Sequence, residues 1–461
     1  MTRYGAPLAG LLVVLAIAPC AVAQPADPAA AVLSYAQARE RLEQVSDALA
    51  AADAAVRNRQ QLQDATGSLR LPEVSGEIRR MDYQKSLYLP LGSLAPVAEQ
   101  YGIEDPLVFT LEGWRTRPIA TAVLPLYTGG LIPAAQRAAA AATAEAGASR
   151  EAEREAQALQ LVQVYFGQAL AERALLVRRD VRDGLEQHLS DARKLEREGF
   201  ATRAQKLQAT VARDKAERDY QKSVNELATI QSALATLLRS GGRVQPSTPL
   251  FVSSTPVGAV ETFEQVALAR HPQVLGLRAK VAQAEQGVRA EQAKLKPQIY
   301  LFGTYDFRRK DEFIQEPDWA YGIGLRYTFL SPNNRPAQIS AAHALQEQAE
   351  AGVREAENQV ALGVRKAWNE LETARHQYLL LDSSIEQARE NLRLQELSFR
   401  EGQSTSLDVI DARLSLGGAR IERAQAAYQY DVALAQLLEV SGQMDRYDEF
   451  RRRADKVVDH E

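Results

Sequence analysis

The tripeptide Arg-Glu-Gly stands at 197–199 and again at 400–402, each time breaking a long helical stretch. The two glycines are 203 positions apart, and so are Pro133 and Pro336, each followed by alanine at the head of an Ala-rich run. Two landmarks with one spacing make the chain a duplication of a single unit. In both copies the glycine follows the proline by 66 positions. A continuous helix of that length extends roughly 100 Å, more than an ordinary globular domain needs. A third pair, Leu71-Pro72 and Lys296-Pro297, is offset by 225, so the first copy carries 22 extra residues ahead of Pro133.

The long stretches have a helical seam. Val360, Val364, Ala367, Leu371, Ala374, Tyr378, Leu381, Ile385, Ala388 and Leu392 step by four and three, and the stepping resumes after Gly402 with Leu407, Ile410, Leu414, Gly417, Ile421, Ala424 and Tyr428. Heptad spacing that reverses at a glycine predicts an antiparallel coiled-coil hairpin.

Residues 1–23 read as a secretory signal peptide: Arg3, an apolar run from Leu8 to Ala18, then Ala21-Val22-Ala23. Cleavage there removes Cys20, the single cysteine, and leaves a chain held by packing alone. The rival reading lipidates Cys20, but Pro19 stands where lipoprotein processing wants a small residue. Beyond residue 24 no stretch reaches the ~20 apolar residues of a transmembrane helix, so entry into a membrane requires β-strands. The segment Trp319–Phe329 has that character. Its odd positions are Trp319, Tyr321, Ile323, Leu325, Tyr327 and Phe329, while the even ones are Ala320, Gly322, Gly324, Arg326 and Thr328. Lipid on one side and a wet lumen on the other demand this alternation. A soluble sandwich strand alternates too, yet does not explain an aromatic-rich face flanked by such long helices.

The organisation that follows is a first repeat at 24–242, with strands within about 71–127 and a helical hairpin at about 134–240. A polar Gly/Pro/Ser-rich linker occupies 243–260. The second repeat, 261–442, has strands within about 298–330 and a hairpin at about 336–440, and a charged, poorly ordered tail at 443–461 ends the chain.

The composition argues against several function classes. A formal net charge of −4 offers no footprint for nucleic acid. His188, His271, His343, His376 and His460 stand singly, without metal-ligand spacing, and read as solvated or packing residues. Gly129-Gly130 lacks the lysine and spacing of a phosphate loop, and no nucleophile motif occurs. The chain reads as a non-enzyme without cofactor or metal.

Taken together, these features resemble the TolC-like outer-membrane factors, the exit ducts of bacterial tripartite efflux pumps and type I secretion systems. The most specific match is Phe399-Arg400-Glu401-Gly402-Gln403-Ser404-Thr405-Ser406-Leu407-Asp408-Val409-Ile410-Asp411-Ala412, which is similar to the family's tip motif. Leu124-Pro125-Leu126-Tyr127-Thr128-Gly129-Gly130 resembles its strand-to-helix bend, completed by Pro133 and, in the second copy, Pro336; Leu295-Lys296-Pro297-Gln298-Ile299 resembles the start of its strand. The resemblance implies a mixed fold, an α-helical coiled-coil tunnel across the periplasm continuing a transmembrane β-barrel. It implies a homotrimer in which each chain gives four of twelve strands. A periplasmic adaptor (membrane fusion) protein, an inner-membrane pump and outer-membrane lipid are the implied partners. Four strands from one chain leave two edges that cannot face lipid, so oligomerisation follows independently. The 22 extra residues are then expected at roughly 84–112, as an extracellular loop.

Two sets of site residues follow. The glycine turns, with Arg197, Glu198, Gly199, Arg203, Arg400, Glu401 and Gly402, are candidates for docking the adaptor; helix-terminal chemistry explains the cations singly but not their duplication. Asp408 and Asp411 share a helical face, and in a trimer they make a ring of six carboxylates able to hold hydrated cations. Thr405-Ser406-Leu407-Asp408 also fits a capping box, a structural role for Asp408. Phe399, Ser404 and Gln205 stand where well-known members lace the closed tip with tyrosine, arginine and aspartate, so that lock does not carry over. The alternatives to an exit duct are a periplasmic coiled-coil adaptor, which would carry a lipoyl-like domain, and a structural coiled coil, which leaves 298–330 unexplained.

Overall fold

The computed structural model describes residues 31–307 and 317–458. The expected signal peptide, Cys20 and His460 lie outside the described residues. The chain runs β1 (Ala31–Leu33), α1 (Tyr35–Val45), α2 (Asp47–Gly67), β2 (Glu73–Leu89), α3 (Ala95–Gln100), β3 (Leu107–Tyr127), α4 (Leu131–Arg197) and α5 (Arg203–Leu237). It continues through β4 (Val244–Pro246), β5 (Phe251–Val252), α6 (Val260–Arg270), α7 (Pro272–Ala293), β6 (Gln298–Asp306) and β7 (Trp319–Arg326). The last elements are α8 (Arg335–Arg400), α9 (Ser406–Val440), α10 (Tyr447–Arg453) and β8 (Lys456–Val457). No helix among the described residues is long and apolar enough to cross a membrane.

The 67-residue α4 pairs with α5, and the 66-residue α8 with α9. Along α8 the heptad seam is buried as its spacing requires: Val360, Val364, Ala367, Leu371, Ala374, Tyr378, Ile385 and Leu392 all point inward. The seam of α9 departs from a simple stripe. Leu407 and Leu414 are exposed, while nearly every residue from Ala433 to Leu438 is buried, because that end of α9 is surrounded on all sides.

One antiparallel sheet of order β2-β3-β6-β7 caps the helices. Its register gathers apolar residues of all four strands on one face, although Arg80, Asp82 and Gln84 share that face further along β2 and Tyr300 and Phe302 lie on the opposite one. Cross-strand partners share a face; one face collects Val74, Ile78, Ala122, Leu124, Leu301, Tyr305, Tyr321, Ile323 and Leu325. The other collects Glu73, Ser75, Glu77, Arg79, Arg117, Thr121, Thr304, Asp306 and Arg326. On the apolar face Ile78 is 74% exposed, Tyr321 78% and Ile323 70%. On the polar face Arg117 donates to Asp306 Oδ2 through Nε (2.9 Å) and Nη2 (2.5 Å). β2 and β7 each end the sheet with one edge unpaired among the described residues.

Three expectations need correction. The segment 84–112 is not a loop: β2 runs to Leu89, β3 starts at Leu107, and only 90–106 connects them. The extra residues of the first repeat lengthen its strands, and the prolines that suggested a loop, Pro90, Pro96 and Pro106, all fall inside the true connection. β7 stops at Arg326 rather than near 330, since Ser331 and Pro332 already belong to the approach to α8. The linker and tail are not loose either. β1 pairs with β4 and β5 with β8, forming two small sheets that wrap the middle of the helices. Tyr165 is the knot: its hydroxyl donates to Leu33 O (2.7 Å) and accepts from the backbone of Ser247 (3.1 Å) and Thr248 (3.0 Å). Tyr35, Phe166, Phe251, Tyr430 and Tyr447 close an aromatic core around it. Short segments of this kind carry too few apolar residues to signal burial by period alone, and docking decides their structure.

Candidate functional site

Both hairpin tips are built by one set of hydrogen bonds. At the end of α4, Gly199 N donates to Glu196 O (3.1 Å) and Phe200 N to Leu195 O (2.8 Å); at the end of α8, Gly402 N donates to Phe399 O (3.1 Å) and Gln403 N to Ser398 O (2.8 Å). This is a Schellman motif in each copy, and it places the glycines at φ +83° and +73°, where a Cβ is penalised. The next helix then starts on a capping box, Thr202 with Gln205 in the first copy and Thr405 with Asp408 in the second. The duplication therefore reaches down to individual hydrogen bonds.

Arg197, Glu198, Arg203, Arg400 and Glu401 are exposed around these turns and make no ion pair among the described residues. Arg197 Nε donates to Arg193 O (3.3 Å), satisfying a terminal carbonyl. Beside the turns α5 and α9 diverge over α4, leaving an open groove of about 750 Å³. Exposed Leu207 and Val211 of α5 and Leu407 and Leu414 of α9 line it, with Lys215 and Asp219 further along.

The two aspartates separate in role. Asp408 Oδ2 accepts from Thr405 Oγ1 (2.7 Å), Thr405 N (2.8 Å) and Ser404 Oγ (3.0 Å), and these bonds, the Thr405 hydroxyl first, hold its carboxyl below the usual range. Asp411, one turn on, is exposed and takes part in no hydrogen bond or ion pair among the described residues. The residues that depart from the family pattern are occupied differently. Gln205 closes the first capping box, Ser404 Oγ lies 2.7 Å from Gln395 Oε1, and Phe399 is buried 4.8 Å from the ring of His188.

At the other end of α4, Gly129 (φ +69°) and Gly130 (φ +102°) turn β3 into the helix. A Cβ at 129 would lie 2.6 Å from Ala293 O, so this bend is pressed onto the end of α7. Pro133 is the third residue of α4 and Pro336 the second of α8, whose N-cap Asn334 accepts from Ala337 N (3.1 Å). The prolines are equivalent; the glycine pair has no counterpart in the second repeat.

Sequence reasoning missed the contact between His188 and Ser406, because residues 218 positions apart in the chain meet only when the hairpins pack. It also missed the aromatic belt, whose signal was the cluster Leu250, Phe251 and Val252 inside an otherwise polar stretch.

The family model described as "Outer membrane efflux protein" matches residues 264–443. The chain is 27% identical over 188 residues to the outer membrane efflux protein BepC of Brucella suis biovar 1, covering 39% of this chain and 40% of BepC. It is 24% identical over 320 residues to the alkaline protease secretion protein AprF of Pseudomonas aeruginosa, covering 63% of this chain and 62% of AprF. The matched segments thus span less than two thirds of either relative. The fold superposes on the outer membrane protein VceC of Vibrio cholerae with a TM-score of 0.72 at 17% identity, covering 89% of this chain and 96% of VceC. A helical tunnel beneath a barrel-forming sheet is the architecture shared with these channels, and the location that goes with it is the Gram-negative outer membrane, with a large periplasmic portion. Residues 264–443 thus resemble the outer membrane efflux proteins in sequence, and the chain as a whole has the fold of the TolC-like outer-membrane channels.

Proposed function

We propose that three copies of this chain form the exit duct of a tripartite efflux or type I secretion system, a passive conduit opened by an adaptor and an inner-membrane pump. The observation that carries this is the four-stranded sheet. One face carries apolar residues from all four strands, the opposite face carries charged residues, and its two edges are unpaired among the described residues. In lipid an unpaired edge costs several kcal/mol per backbone group, so the sheet must close with other copies; twelve strands is the family's number. Cargo then passes through a polar lumen and no bond is made or broken.

The exposed, unpaired charges of the duplicated turns, with Gly199 and Gly402 shaping them, suit docking of an adaptor hairpin, its apolar side seated in the groove at Leu207, Val211, Leu407 and Leu414. Asp411 has the free carboxylate that a cation ring at the closed tip requires, while Asp408 chiefly caps α9. The connection 90–106 lies at the end of the sheet remote from the helices and would face the exterior. The bend at Gly129, Gly130, Pro133 and Pro336 joins barrel to tunnel.

Extraction from outer membranes tests this reading. It expects detergent-dependent solubility, a heat-modifiable oligomer on gels, and co-purification of an adaptor and an inner-membrane pump. Recovery as a soluble periplasmic monomer would refute it, and would favour a coiled-coil adaptor or structural role.

A further inference from the structure

The two hairpins of one chain meet chiefly along α4 against α9, with a smaller contact of α5 on α9, and near the tips the α4–α9 seam changes character. Higher up it is apolar and close: Val177 is buried, and a Cβ at Gly417 would come within 2.5 Å of Val181 Cγ2. Leu185 packs with Ile410 and Ala216. From this level toward the tip polar groups join the seam. Arg413 of α9 lies across Gly184, where any Cβ would overlap its guanidinium, and is paired with Glu396 of α8. One turn further, His188 Nε2 is 2.7 Å from Ser406 Oγ, with His188 5% exposed and Ser406 fully buried. The His188 ring also packs on Phe399, the last buried residue of α8, at 4.8 Å. The side chain of this one histidine thus touches the end of α8 and the start of α9, on either side of the second tip turn. Past it α4 packs on α5, through buried Leu189, Ala192 and Ala209, before the exposed turn residues.

We infer that His188 and Ser406 form a proton-sensitive latch that holds the second hairpin tip against the first, and that the duct's closed state depends on it. This rests on the exit-duct reading above. Opening at the tip requires the second hairpin to move relative to the first, and the bond His188–Ser406 spans that division while the α5 side of the seam is already an open groove. A neutral imidazole suits the site. Burial is the main influence that lowers its proton affinity; Arg413 on α9 acts the same way, opposed by Asp191 on α4 and Glu396 on α8. On α5, the other element packed on this end of α4, Lys206 and Arg213 are paired with Glu196 (2.7 Å) and Glu186 (3.2 Å). A separated tip exposes the ring and returns it to the ordinary histidine value of 6.5. Protons therefore bind the separated form better, so acid favours opening, and the effect develops as pH falls through about 6.5.

The test is single-channel recording in planar bilayers at pH 7.5 and pH 5.5. The wild type is expected to open more often at the lower pH. His188→Gln should abolish that difference. Ser406→Ala should raise the open probability at pH 7.5 by about 2- to 10-fold, the worth of one hydrogen bond. A His188→Cys/Ser406→Cys pair, clean because Cys20 is the single natural cysteine, should lock the duct shut when bridged by a short cleavable dithiol crosslinker and release it on reduction. A wild type that conducts with the same pH profile as His188→Gln, or a crosslinked pair that gates normally, overturns the latch alone. A wild type that never forms channels overturns the duct reading and the latch together.

Discussion

Tyr447→Ala should unfasten the belt that joins the two repeats. Tyr447 is fully buried on α10, with ring centroids 5.1 Å from Tyr35, 5.9 Å from Phe251 and 6.2 Å from Phe166. Those partners come from α1, β5 and α4, so one side chain ties the tail to the first repeat and to the linker. Truncating a buried aromatic leaves an unfilled cavity and costs about 3–5 kcal/mol. A domain has about 5–15 kcal/mol in total, so the belt would lose roughly a third or more of its stability. Tyr447→Phe removes only a hydroxyl whose bond to Asp431 O is long, 3.4 Å, and should cost at most about 1 kcal/mol. Exposed Arg452→Ala should stay within about 0.5 kcal/mol. Trp368 reports locally, because its Nε1 donates to Gly258 O (3.0 Å) beside the belt; the barrel tryptophans Trp114 and Trp319 can be replaced by Phe. Urea unfolding of the detergent-solubilised protein followed by Trp368 fluorescence should show the midpoint dropping for Tyr447→Ala and holding for both controls. An unchanged midpoint for Tyr447→Ala would mean that the tail is undocked, as its polar sequence suggests, and would refute the argument.

Three further outcomes are expected. Gly402→Val forces a β-branched residue to φ +73° and costs about 1–2 kcal/mol at the tip, so complementation of a duct-deficient strain should fall; full activity would mean the turn tolerates it. Asp431 is fully buried, with Phe251 N donating to its Oδ2 at 3.5 Å, and desolvation pushes its carboxyl well above 3.8. The fold keeps this acid protonated where the unfolded chain ionises, so its contribution declines as pH rises above about 4; Asp431→Asn should remove that part of the slope in a pH series of unfolding midpoints. Asp411→Asn should lower the cation preference of the closed duct in bilayers with little change in folding. Asp408→Asn should instead weaken the tip above the carboxyl's titration range, since a lowered value stabilises at high pH and is lost in acid; equal selectivity in the double variant and wild type would reject the ring.

The long-range plan was legible because it is periodic. Repeated landmarks at one offset placed both glycine turns, and the heptad seam of α8 was buried as read. Alternation in Trp319–Arg326 identified a strand with one lipid-type face, and register then extended that face to strands whose own alternation is weaker. What the sequence hid was non-periodic. The belt consists of strands two or three residues long, whose burial depends on Tyr165 and Tyr447 arriving from elsewhere. The histidine at 188 looked like any lone helical histidine until α9 placed Ser406 against it. Asp408 and Asp411 were indistinguishable as members of a motif; only the hydrogen bonds of Thr405 separated them.

On the proposed reading the open sheet closes by self-association into a membrane barrel. Native mass spectrometry of the protein extracted from outer membranes in detergent tests it most directly. Three chains per particle are expected, dissociating only under conditions that also unfold the barrel. A stable single-chain particle that stays soluble once detergent is removed would contradict it.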